Sequence, residues 1–145
     1  VAAAALFCTA TIAQTSLPRV ALKGYDPVAY FTEGKPIKGS PAIAYDFDEA
    51  RYYFSSPKHR DLFAGNPDHY APRFGGYCTG SMSRGVKNEG DPENWISEDS
   101  RHYLFAPAKG KEKGKAIGRA GIEKLKADPK KLAELANRNW EGMRK

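Results

Sequence analysis

A strict two-residue alternation constrains this chain more than any other feature. From Ala42 to Phe47, the residues Ile43, Tyr45 and Phe47 alternate with Ala44 and Asp46, the period of a strand with one face in a core. Asp48-Glu49-Ala50 reads as a turn, and Arg51 to Ser56 (RYYFSS) as a second aromatic strand; together they predict a β-hairpin. A second hairpin is predicted from Trp95-Ile96-Ser97 and His102 to Phe105, joined through Glu98-Asp99-Ser100. Ser56-Pro57 is a helix start, with Leu62 and Phe63 facing inward and Gly65-Asn66 ending the helix. Pro67-Asp68 begins a short turn carrying His69 and Tyr70, and Pro27 starts another inside GYDPVAYF. The stretch from Lys111 to Lys126 has helical character that Gly114, Gly118 and Gly121 weaken. Asp128 and Pro129 then cap a firmer helix with Leu132, Leu135, Ala136 and Trp140 on one face. No internal repeat is apparent. The expected fold is α+β: a small single domain with two antiparallel β-hairpins packed against short helices, plus a C-terminal helix.

The N-terminal residues bear on where such a domain works. Val1 to Ile12 reads VAAAALFCTATI, small and apolar without a charge, and Thr11-Ile12-Ala13 resembles a small-x-small cleavage site. Residues 1–13 are therefore read as a secretory signal segment, and the expected location is periplasmic or secreted. Residues 14–108 form the expected domain and 109–145 a basic helical extension. No later stretch is apolar enough to span a membrane. The chain carries 23 Lys and Arg against 17 Asp and Glu, a formal charge of +6. Much of the positive charge falls between Lys109 and Lys131, the pattern of a solvated helix face; in an exported chain no nucleic-acid partner is expected. Cleavage would also remove Cys8, leaving Cys78 as the one thiol and excluding a disulfide scaffold.

The blocks GYDPVAYFTEGKPIKGSP, YYFSSPKHRDLFAGNPDHYAPRFGGYC and GDPENW, in this order, resemble the exported single-domain branch of the YHS-domain family. The likeness runs from about Gly24 to Phe105, and the terminal NRNW helix is similar in kind. The resemblance implies a fold and an association with metal binding more than an activity. Metal-associated members carry cysteine after the second aromatic strand, where this chain has Ser55-Ser56. A hydroxyl is a weak ligand for soft metals.

Cys78, in FGGYCTG, is therefore the candidate soft ligand, with His59 and His69 as its nearest histidine companions in the sequence. A mixed Cys/His site would take copper, zinc or iron, completed by a carboxylate, by Met82 or by a second protomer, so a homodimer is one expectation. His102 is treated as an ordinary surface or hydrogen-bonded histidine, and Met82 as a gap-filling apolar side chain. A second reading places a small ligand in an amphipathic pocket lined by Tyr25, Asp26, Tyr30, Tyr53 and Tyr77. A third makes Cys78 a small core residue where Gly75 and Gly76 let backbones approach. Thiol catalysis is the weakest option, because no resolving cysteine, CxxC motif or Cys/His/Asn signature accompanies Cys78. No phosphate loop, HExxH or serine elbow is present, so a binding module is expected rather than an enzyme.

Overall fold

The computed structural model describes residues 17–107 and 112–144, with side chains from 120 onward in the second stretch. The proposed signal segment lies outside them, and no described helix is long and apolar enough to cross a membrane. The chain forms β1 (Arg19–Val20), a tight turn at Ala21–Gly24, α1 (Ala29–Thr32), β2 (Ser40–Phe47), β3 (Ala50–Phe54), α2 (Pro57–Gly65) and α3 (Pro67–Tyr70). A second tight turn at Arg73–Gly76 leads to α4 (Thr79–Met82), β4 (Asp91–Glu98), β5 (Arg101–Phe105), α5 (Glu112–Ala127) and α6 (Pro129–Met143). Sheet order is β1-β3-β2, with β1 parallel to β3, and separately β4-β5. The α+β class and both antiparallel hairpins are as expected. Ser56 accepts from the His59 amide and Asp128 from the Lys131 amide, so both expected caps form, each followed by proline.

The backbone departs from the sequence reading in one respect: it contains a repeat. Leu22, Lys23 and Gly24 hold φ of 55°, 50° and 84°, and Phe74, Gly75 and Gly76 hold 55°, 60° and 85°. In each turn the following tyrosine amide closes back, Tyr25 onto the Leu22 carbonyl at 2.9 Å and Tyr77 onto the Phe74 carbonyl at 3.0 Å. Tyr25 then bridges Lys38, and Tyr77 bridges Glu89. Gly39 donates to the Gly24 carbonyl and Gly90 to the Gly76 carbonyl. Both hairpins break register at corresponding places, between Ser40 and Ala44 and between Asp91 and Trp95. Both turn through two residues of positive φ, Asp48-Glu49 and Asp99-Ser100, the two-residue loop that matches strand twist. The unit from Leu22 to Phe54 therefore recurs from Phe74 to Phe105.

Each half builds its own core. Leu22, Val28, Tyr30, Tyr52, Phe54 and Phe63 of α2 pack together in the first, joined by Leu104. Phe74, Met82, Tyr103, Phe105, Leu125 of α5 and Ala136 of α6 form the second. The positive φ of Leu22 and Phe74 is unfavourable for a residue with a Cβ; burial of both side chains, 1% and 3% exposed, offsets that cost. The helices expected as an extension thus supply one wall of the second core. Asn139 fastens α6 to the Met82 carbonyl at 2.8 Å, and Asn137 accepts from Arg73 at 3.0 Å.

Candidate functional site

The residue after the turn tyrosine is Asp26 in the first half and Cys78 in the second, and both are buried. In corresponding backbone bonds, the Asp26 amide donates to the Ile37 carbonyl and the Cys78 amide to the Asn88 carbonyl, each at 2.8 Å. Their side chains meet different surroundings.

Asp26 is a fully used acceptor. Its Oδ1 takes the amides of Val28 at 2.8 Å and Ala29 at 3.3 Å, which starts α1. Its Oδ2 takes the Ser55 amide at 2.9 Å, the Ser55 hydroxyl at 2.6 Å and His59 Nδ1 at 2.7 Å. A carboxylate that already accepts so many bonds has no proton to give, so His59 donates from Nδ1. This leaves Nε2 facing Thr32 Oγ1 at 3.3 Å and Glu33 Oε1 at 3.7 Å at the surface. The knot ties α1, the end of β3 and α2 together. Ser55, at the position where the resemblance implies cysteine, is a hydrogen-bonding member of it.

Cys78 lies at the base of a cleft of about 730 Å³ between α4 and the α5–α6 pair. Its side chain is 2% exposed. A Cβ placed on Gly80 would lie 3.9 Å from Cys78 Sγ, from Arg84 Nη1 and from the Gly121 Cα, so the thiol, a guanidinium and the α5 backbone converge there. Leu132 and Leu135 give the cleft an apolar wall, while Arg84, Lys124 and Lys131 bring positive charge from three different helices or helix ends. Met82 is fully buried in the second core, filling space as expected.

The proposed companions of Cys78 do not join it. Among the described residues no group of three or more His, Cys, Asp or Glu side chains is placed to hold a metal ion. His59 is held by Asp26, and exposed His69 on α3 stacks on Phe31 and Tyr70 with centroids 4.9 and 4.7 Å apart. Nor do the five residues of the proposed aromatic pocket share one site. Tyr25 and Tyr30 belong to the first core. Tyr30 spends its hydroxyl on the Pro92 carbonyl at 2.8 Å, and burial raises its pKa. Tyr53 packs near Gly24. Tyr77 sits by the second core, under the Arg19 guanidinium at 4.2 Å and beside Trp140 at 5.9 Å.

His102 corrects a different expectation. It is buried and makes no hydrogen bond among the described residues: its ring is 1% exposed and neither nitrogen has a partner among them. It is enclosed by Tyr30 at 4.0 Å, Trp95 at 5.4 Å and Phe31 at 6.2 Å. Burial lowers its pKa to about 3, so the ring is neutral. Strand alternation could place His102 on a face, but both faces of β5 are buried, and no sequence signal marks the second as covered.

No family model, curated protein or solved structure matches this chain.

Proposed function

We propose that this chain is an exported, YHS-like binding module that holds a small ligand in the cleft over Cys78. The observation that carries the reading is the cleft itself. Its volume suits a small molecule, and its apolar wall with a few charged groups is the usual composition of such a site. The first half argues in the same direction, since its corresponding position is closed by the Asp26–His59 bond. A soft transition metal such as copper, zinc or iron is the second reading, favoured by the thiol at the base of the cleft. The expected histidines stand elsewhere, so further ligands would come from a second protomer.

The test is native mass spectrometry of untagged protein recovered from the cell envelope, with elemental analysis alongside. A bound organic mass that is lost in an Ala127→Trp variant, which fills the cleft from an exposed position, is the expected result. Near-stoichiometric metal that disappears in Cys78→Ser would favour the second reading instead. Protein free of both, which takes up neither Cu(I), Zn(II) nor any small molecule, would leave Cys78 as a core residue and overturn the proposal. Intact mass tests export: a mature chain beginning near Gln14 is expected.

A further inference from the structure

We infer that the cleft selects an amphiphile with one apolar chain and one anionic headgroup; this rests on reading the cleft as a binding site. The apolar part follows from Leu132 and Leu135 on α6. Leu135 remains 36% exposed although it belongs to an amphipathic helix whose Ala136 is fully buried. Leaving a large aliphatic side chain in water forgoes the gain of burying it, and a ligand's apolar chain laid along this wall recovers that gain.

The headgroup follows from charge. Arg84 just beyond α4, Lys124 in the last turn of α5 and Lys131 in the first turn of α6 line the same cleft. None of the three makes a side-chain hydrogen bond or ion pair among the described residues. Asp128, the one carboxylate lining the cleft among the described residues, is partly used, since its Oδ1 accepts the Lys131 amide at 3.0 Å. Three cations around one opening repel one another, and Lys131 also stands at a poor place for its charge. Lys131 follows a helix start, where positive charge opposes the dipole. An anion between them relieves the repulsion, whereas a cationic ligand adds to it.

The comparison of the halves explains why there is room. In the first half α2 presents His59 to the buried Asp26. In the second, α5 passes Gly80 and Cys78 at Gly121, and no side chain of α5 is tied to Cys78 by a hydrogen bond among the described residues. A Cβ there would collide with the Phe105 ring at 2.8 Å, so the position is held to glycine by the core beneath it.

Three probes of equal chain length decide the matter: decanoate, decanol and decyltrimethylammonium, each titrated below its micelle concentration into the full mature chain. Amide shifts of Gly80, Gly121 and Leu132 are read by two-dimensional NMR. Decanoate is expected to shift these amides and to bind about tenfold more tightly than decanol, with the ammonium weakest. Raising the salt concentration should narrow the gap. A Lys124→Gln/Lys131→Gln variant, whose spectrum also reports folding, should bring decanoate close to decanol. Equal binding of decanoate and decanol, or tighter binding of the ammonium, would overturn the anionic class while leaving the cleft as a binding site. Failure of all three probes to move these amides overturns the amphiphile inference; if native protein also lacks a bound molecule, the reading of the cleft falls with it.

Discussion

Replacing His102 with leucine should make the domain more tolerant of acid. The imidazole is enclosed by Tyr30, Trp95 and Phe31, and neither nitrogen has a partner among the described residues. An ordinary histidine titrates near 6.5, and burial moves this one down to about 3. Between those values the unfolded chain binds a proton that the folded chain refuses. The contribution to stability is therefore complete above pH 6.5 and is lost as pH falls toward 3. The slope is about 1.4 kcal/mol per pH unit, so at pH 5 the wild type forgoes about 2 kcal/mol that His102→Leu retains. At pH 7 the variant should be neutral or gain about 1 kcal/mol, because a polar group without a partner is replaced by an apolar one of similar size. Urea unfolding at pH 7 and pH 5, with equal m-values required, measures both numbers. Parallel loss of stability in wild type and variant would refute the buried neutral ring. A loss of several kcal/mol at pH 7 would show that a ring nitrogen has a partner after all.

Asp26→Ala should cost about 3–5 kcal/mol by thermal or urea unfolding, since it strands two side-chain and three backbone donors in the interior. A loss under 1 kcal/mol would mean that the knot is not a structural tie. Gly39→Ala and Gly90→Ala should each destabilise by more than about 2 kcal/mol, because the new methyl group meets Tyr53 backbone in one half and Leu104 in the other. Gly142→Ala, with nothing nearby, should instead stabilise α6 by about 0.5 kcal/mol; a reversed order would discredit the packing. Cys78 should react slowly with a bulky thiol reagent in native protein and at the rate of a free thiol in denaturant, given its 2% exposure. Fast native labelling with turnover of peroxide would restore thiol chemistry.

How much of this was legible depends on the range of the force involved. Alternation at Ile43, Tyr45 and Phe47 and the Ser56-Pro57 and Asp128-Pro129 starts act over a few residues, and the hairpins and caps follow from them. The tight turns were not legible, because Leu22 and Phe74 occupy left-handed backbone that sequence reasoning reserves for glycine. Only burial of their side chains against residues far along the chain makes that conformation tolerable. The metal trio failed to assemble for a related reason. His59 is nearer to Cys78 in sequence than to Asp26, yet α2 packs on the first half and turns the ring back to the carboxylate.

The repeat escaped notice because its two copies keep backbone constraints and exchange chemistry. Gly24 and Gly76, Gly39 and Gly90, and the aspartates that open the hairpin turns persist, since each answers a steric demand. At other corresponding positions the residues differ: Asp26 against Cys78, Arg51 against His102, Ala44 against Trp95. Such exchanges erase sequence similarity while leaving the hairpin geometry intact. They also locate the structural difference between the halves. A carboxylate after the turn needs donors, and Ser55 and His59 provide them, which draws α2 down and seals the first half. A thiol makes no such demand. Without a polar tether, nothing draws a helix down onto Cys78, and the same backbone that closes a polar knot in one half leaves a cleft in the other.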